Sequence, residues 1–166
     1  MKQKYINYSQ NDVKGFVNSI IRDMLLEGFK PDYVVGLTRG GLYPALMISH
    51  YLEIPMHTLK VSLRDDSHCE SNLWMAEEAY SGKNILIVDD INDSGATLDW
   101  VVKDWQSSVS LPIDETWERT WNQNVRFAVL VDNENSAFGN VDYVGTSINK
   151  LDDPRWIVFP WEEWWK

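Results

Sequence analysis

The segment ILIVDDINDSGATL, residues 85–98, is a run of branched apolar residues that ends abruptly in acid. NILIVDD (84–90) predicts a strand buried on both faces, because no polar residue interrupts it until Asp89 and Asp90. Asp93 then opens a tight turn with Ser94, Gly95, Ala96 and Thr97, and Leu98, Val101, Val102 and Trp105 repeat at helical spacing behind it. Gly95 and Ala96 let backbone N–H groups approach a ligand closely, and the helix beginning near Thr97 directs its positive end into the same turn. An acidic strand end and an ordinary capped helix would account for any one of these elements. The ordered set describes a phosphate cradle beside an acidic pair, which suits a phosphorylated sugar whose hydroxyls need acceptors.

Outward from that segment the chain alternates strand, loop and helix. Ser9 starts an S-x-x-D signal, and Val13, Phe16, Val17, Ile20, Ile21, Met24 and Leu25 form an apolar helical face that Gly28 and Pro31 end. YVVGL (33–37) predicts a buried strand, and TRGG (38–41) interrupts it. Leu42, Ala45, Leu46, Ile48 and Leu52 predict a second helix with Pro44 in its first turn. HTLKVSL (57–63) alternates as a strand. Residues 64–80 carry both charge signs and predict a surface loop. SSVSLP (107–112) is loop-like, DETWERTWNQ (114–123) suggests a short helix, and strands are expected at VRFAVLV (125–131), VDYVGT (141–146) and RWIVFP (155–160). The alternation predicts an α/β fold, a mostly parallel twisted sheet flanked by helices. Ligands bind such sheets beyond the carboxyl ends of the strands, where both TRGG and the turn after Asp90 fall.

Composition narrows the chemistry. The 166 residues predict one domain over 1–166, with 44% hydrophobic and 24% charged residues, which excludes disordered and fibrous classes. A net charge of −10 and a pI near 4.6 disfavour nucleic-acid binding, which relies on neutralising phosphates. An anionic small substrate must therefore be held by local features or by a metal cation. Cys69, the one cysteine, excludes an intrachain disulfide framework and fits a reducing compartment. The first ten residues hold no apolar core and no run reaches the ~18 apolar residues of a membrane span, so a cytoplasmic setting is expected. The sequence His68-Cys69-Glu70 lacks a second ligand pair at recognisable spacing, and His50 and His57 read as helix-end and strand residues.

Residues 85–98 resemble the phosphoribosyl pyrophosphate (PRPP) motif of the type I phosphoribosyltransferases: an apolar run, two acids, two variable residues, then Asp-Ser/Thr-Gly-x-Thr. GLTRGGLYPA (36–45) is similar to the pyrophosphate loop of the xanthine-guanine and hypoxanthine branch, and relatives often place a cis peptide there. DDPRWIVFPWEE (152–163) resembles the C-terminal hood of the same branch. The resemblance implies that fold, with a small hood at about 141–163, and transfer of the phosphoribosyl group from PRPP to a nucleobase, a purine in that branch. It gives PRPP contacts to Asp89, Asp90, Asp93, Ser94, Gly95, Ala96, Thr97, Thr38, Arg39 and Gly40. It places Trp156 on the base face and Ile157 at the base edge, makes Asp93 the group that handles the N7 proton, and sets Asp89, Asp90 and Glu162 near magnesium (Mg2+). It also implies a homodimer or homotetramer; Trp164 and Trp165 suit an apolar tail docked on the domain or on a neighbouring subunit.

Two positions depart from the pattern. Where the branch carries a lysine that reads O6 of the base, this chain has Asp132, followed by Asn133 and Glu134. Either another donor such as Lys150 reaches in, or the base bears an amine, as adenine does. Where relatives often carry a pyrophosphate-binding arginine, the stretch reads HCES (68–71), leaving Arg64 or Lys60 as substitutes. A PRPP-sensing regulator without catalysis is the alternative function, although no basic face or added DNA-binding domain is visible. A receiver-type domain would explain Asp89 and Asp90 but not DSGAT together with the tryptophan-rich tail.

Overall fold

The structure, a computed structural model, describes residues 2–63, 69–109 and 115–166. Its elements are β1 (Tyr5–Asn7), α1 (Gln10–Glu27), β2 (Tyr33–Thr38), α2 (Leu42–Leu52), β3 (Met56–Lys60), α3 (Leu73–Tyr80), β4 (Ile85–Asn92), α4 (Ala96–Ser108), β5 (Val125–Asn133), β6 (Tyr143–Ile148) and β7 (Trp156–Val158). Five strands form one sheet in the order β3-β2-β4-β5-β6, every pair parallel. Period-two alternation sends successive side chains of β4 to opposite layers. Leu86 and Val88 pack with Val13, Val17, Ile20, Ala45 and Ile48 of α1 and α2. Ile85 and Ile87 pack with Met75, Ala79, Leu98, Val101 and Trp105 of α3 and α4.

The chain-order reversal lies between β2 and β4. From β2 the chain moves outward to β3, then returns to place β4 on the other side of β2. The loops that follow β2 and β4 therefore diverge above their carboxyl ends and leave a crevice between them. Pro44 occupies the first turn of α2 without breaking it. At α1 the expected start signal is a full capping box: Ser9 Oγ accepts the Asp12 amide (3.1 Å) and the Ser9 amide donates to Asp12 Oδ2 (2.8 Å). Gly28, at φ 73°, closes its other end.

Several boundaries differ from those expected. The surface loop predicted over 64–80 contains α3, whose N-cap Asn72 accepts the Met75 amide (3.3 Å) and whose buried contacts are Met75, Ala76 and Ala79. β3 stops at Lys60, short of the 57–63 strand, and α4 continues through Ser108 into the expected loop. DETWERTWNQ yields only a 3-10 turn at Trp117–Arg119, and its first residue lies outside the described part, as do 64–68 and 110–113.

β6 is an edge strand of the main sheet, whereas β7 leaves that sheet and pairs in parallel with the N-terminal β1, Tyr5 opposite Trp156 and Asn7 opposite Val158. The Trp156 amide donates to the Lys4 carbonyl (2.9 Å) and the Tyr8 amide to the Val158 carbonyl (3.0 Å). Phe159 and Trp161 stack at 4.9 Å, and Trp161 stacks on Tyr43 of α2 at 5.2 Å. This aromatic row joins the tail to the body; within the single chain Trp164 and Trp165 are 77% and 65% exposed, so of the two expected docking partners the domain itself does not cover them.

Candidate active site

A cleft of about 1150 Å³ opens above the carboxyl ends of β2 and β4. Its wall brings together the residues given to PRPP, the base and magnesium by the resemblance: Thr38, Arg39 and Gly40 from the first loop, Asp89, Asp90 and Asp93–Thr97 from the second, and Trp156, Ile157 and Glu162 from the tail. Lys60 and Lys150, the two lysines raised as substitutes, also face it. Arg64 and His68 lie outside the described residues.

The turn after β4 is shaped by backbone demands. Gly95 caps α4 at φ 91°, and a Cβ there would stand 2.5 Å from the Phe138 amide nitrogen and 2.7 Å from Ser136 Oγ, so only glycine fits. Ser94 Oγ accepts the Ala96 amide (3.3 Å), and the Ser94 carbonyl accepts the Ala137 amide (3.0 Å), pinning the turn from behind. The first-turn N–H groups of α4 have no carbonyl partner within the helix and add its positive dipole end. This is a neutral, fixed set of donors for an anion.

The first loop carries a cis peptide between Thr38 and Arg39. Gly40 lies so close to the Asp90 carboxylate that a Cβ would overlap its Oδ2 at 2.1 Å, so the two loops meet at this point.

Acids dominate the floor. Asp89 is only 8% exposed, and burial, reinforced by the charge of Asp90, pushes its carboxyl well above the ordinary range; the Asp90 amide on its Oδ1 (2.9 Å) partly opposes this. Burial also raises Glu162, with the charge of Asp90 adding and Arg39 opposing, while the Phe159 amide donates to its Oε2 (2.7 Å). Asp89, Asp90 and Glu162 thus crowd negative charge that a divalent cation would relieve. Among the described residues no group of three or more His, Cys, Asp or Glu is arranged to hold a metal by itself. The donor set therefore fits a magnesium ion completed by substrate oxygens and water.

On the opposite side, Asp93 Oδ2 pairs with Lys150 Nζ at 2.8 Å, with side chains 27% and 19% exposed. The same ammonium lies 5.6 Å from the centre of the half-exposed Trp156 ring. Asp132 turns away: its Oδ1 accepts from Asn92 Nδ2 (2.8 Å), which also donates to the Phe138 carbonyl (2.8 Å). Of the two alternatives left by the sequence, the structure puts Lys150 on the cleft wall and Asp132 in a packing network. Sequence reasoning missed Asn133, which is buried beside Asp93 and donates to it. Its partners come from distant loops, so no local pattern marks it.

The phosphoribosyl transferase domain model matches residues 6–166. The chain is 32% identical over 147 residues to a xanthine-guanine phosphoribosyltransferase of Cereibacter sphaeroides, covering 82% of this chain and 75% of that protein. It is 25% identical to a hypoxanthine-guanine phosphoribosyltransferase of Schizosaccharomyces pombe, covering 93% and 87%. Among solved structures, a purine phosphoribosyltransferase from Pyrococcus horikoshii superposes with a TM-score of 0.68 at 25% identity, over 96% of this chain and 95% of that one.

Proposed function

The chain belongs to the phosphoribosyl transferase domain family, enzymes that carry a phosphoribosyl group from PRPP to a base; from that premise we propose a purine phosphoribosyltransferase of salvage with a preference for 6-oxopurines. One observation carries the preference: the adjacent donor and acceptor made by Lys150 Nζ and Asp93 Oδ2 beside Trp156. A 6-oxopurine presents O6 and N7 side by side along one edge, whereas adenine presents an N6 amine beside N7. Lys150 donates to O6, and Asp93 accepts the N7 proton. An exocyclic amine would instead set donor against ammonium. Trp156 stacks on the ring and Ile157 supplies backbone groups to its edge.

The remaining roles follow from charge. Backbone donors of Ser94, Gly95, Ala96 and Thr97 hold the 5′-phosphate and so fix C1 of the sugar against the base. Thr38, Arg39 and Gly40 face the pyrophosphate, with Lys60 in reach of the same wall. As the C1–oxygen bond to pyrophosphate breaks and a ring nitrogen bonds to C1, positive charge grows on the ribose. Asp89 and Asp90, beneath it, accept from the ribose hydroxyls and stabilise that charge. The N7 proton passes to Asp93, and pyrophosphate leaves. Asp89, Asp90 and Glu162 would hold magnesium together with substrate oxygens, and the ion when bound neutralises charge on pyrophosphate.

This reading treats residues 1–166 as one domain whose hood closes the base side. It places the enzyme in the cytoplasm as a homodimer or homotetramer, acting on small molecules and not on nucleic acid or membrane; no helix among the described residues is long and apolar enough to cross a membrane. The test is pyrophosphate release from PRPP and magnesium with guanine, hypoxanthine, xanthine, adenine and uracil. Product with the 6-oxopurines is expected. Adenine as the best substrate would refute the edge argument, and PRPP binding without product from any base would mark a non-catalytic regulator.

A further inference from the structure

Asn133 ends β5 with 7% of its surface exposed, and its carboxamide is engaged at both ends. Its Nδ2 donates to the Asp93 carbonyl (3.1 Å) and to Asp93 Oδ1 (3.3 Å). Its Oδ1 accepts the backbone amides of Asn135 (3.3 Å) and Lys150 (3.2 Å). One buried amide thus grips the acid and also the main chain of the lysine that pairs with the acid's other oxygen at 2.8 Å. Asp93 is held through both carboxylate oxygens and its own carbonyl, by groups from two separate stretches of chain.

We propose that Asn133 is a positioning residue for the transfer reaction: it fixes the orientation of the Asp93 carboxylate and sets the position of Lys150 relative to it. The inference rests on the proposed roles of Asp93 and Lys150 toward the base. Orientation matters because a proton acceptor must meet the base edge within hydrogen-bonding reach as the new bond forms. A carboxylate freed on its Oδ1 side can rotate toward the Lys150 ammonium and away from the substrate. Buried polar groups that support a reacting side chain act in this way through the geometry they impose.

The discriminating variant is Asn133→Asp. It is isosteric and retains an acceptor for the Lys150 and Asn135 amides, so loop support survives. It replaces the donor facing Asp93 with a carboxylate. Steady-state kinetics with guanine and PRPP should show kcat reduced about 10–100-fold, on the scale of a misplaced reacting group. The PRPP KM should stay within about threefold, because the Gly95 cap and the Ala137 amide that pins the Ser94 carbonyl are retained in the phosphate turn. Measured again in an Asp93→Asn background, the same substitution should change kcat less than about twofold, since the group it acts through is gone. Asn133→Ser, uncharged and smaller, gives a second reading should the aspartate variant fold poorly; it should show the same split between kcat and PRPP KM.

Equal losses from Asn133→Asp with and without Asp93 would overturn the proposal, as would wild-type kcat in both Asn133 variants. If the wild-type chain releases no pyrophosphate with any base, the functional reading itself fails, and this inference with it. If wild type is active and Asp93→Asn is impaired while the Asn133 variants are normal, only the positioning role is lost.

Discussion

Asp89→Asn should make the unliganded protein more stable at neutral pH while weakening its grip on PRPP. Asp89 sits where β4 leaves the core, and burial, with the charge of Asp90 second, raises its carboxyl well above the ordinary range. In the unfolded chain the same group ionises near pH 4, at about its ordinary value of 3.9. Between those two values the folded state binds the proton and the unfolded state does not. Stability is therefore fully present below the unfolded value and declines as pH rises through the folded one. Asparagine matches the protonated acid in shape and charge. Its carbonyl accepts the Asp90 amide that now lies 2.9 Å from Asp89 Oδ1, and its NH2 donates toward the Asp90 carboxylate. Removing the desolvation penalty of a poorly compensated buried group contributes about 1–3 kcal/mol. In a chain of this size each kcal/mol moves the melting temperature by roughly 2–4 °C. Melting followed by tryptophan fluorescence, without PRPP or magnesium, should show a gain of several degrees at pH 8 that shrinks toward pH 5.5. The PRPP dissociation constant in magnesium should rise at least ~10-fold, because a bound cation favours the ionised form of Asp89 and asparagine cannot supply that charged acceptor. A variant no more stable than wild type at pH 8, or a gain equally large at pH 5.5, would refute this account of the acidic floor.

Asp93→Asn should lower kcat by about 10²–10⁴-fold, the range for a positioned proton acceptor, with PRPP affinity measured by calorimetry largely intact. Lys150→Met keeps an apolar stem near Trp156 and removes the donor to O6; kcat/KM for guanine should fall about 10–150-fold, from a charged hydrogen bond of roughly 1.5–3 kcal/mol, and fall much less for adenine. Gly95→Ala forces a Cβ against the Phe138 amide at 2.5 Å with φ at 91°. It should cost about 1–3 kcal/mol in thermal unfolding and weaken PRPP binding more than base binding, and wild-type affinity for PRPP would contradict the phosphate-cradle assignment.

How far the sequence could be read depended on the range of the interactions involved. β4, the flanking strand β2 and the turn at residues 93–97 were legible because long apolar runs, a tight glycine turn and a helix start are local signals. The ends of α1 were legible for the same reason, through Ser9, Asp12 and Gly28. α3 was not, because its eight residues make only about two turns and its buried set is Met75, Ala76 and Ala79, too short a run to show a helical stripe. The β1–β7 pair was not, because three-residue strands carry no periodic signal and their partners are about 150 positions apart in the register. Asp132 illustrates a different failure. The resemblance sets it where the branch carries a base-reading lysine, yet a sequence position says nothing about direction, and the side chain is drawn off to Asn92. Lys150 could be raised only as a possibility, because its approach to Asp93 depends on how the loop after β6 folds back.

The strongly negative chain poses an electrostatic question that the cleft geometry answers. PRPP is itself highly anionic, so the long-range field of a protein with net charge −10 opposes its approach. Binding must then come from short-range terms that do not depend on net charge. On the proposed assignment the donors at the phosphate end are backbone N–H groups and a helix dipole, which attract an anion at contact and carry no formal charge to be offset elsewhere. At the pyrophosphate end the cations Arg39 and Lys60 are few and line the same wall as the acids. On the proposed assignment Asp89 and Asp90 face the sugar, the one part of the substrate that becomes positive during the reaction. Their charge is therefore poorly matched to the ground state, as the raised carboxyls of Asp89 and Glu162 report, and better matched to the transition state. On that argument the crowding of Asp89 and Asp90 has a catalytic use: part of the unfavourable repulsion in the empty cleft is relieved as the ribose gains charge.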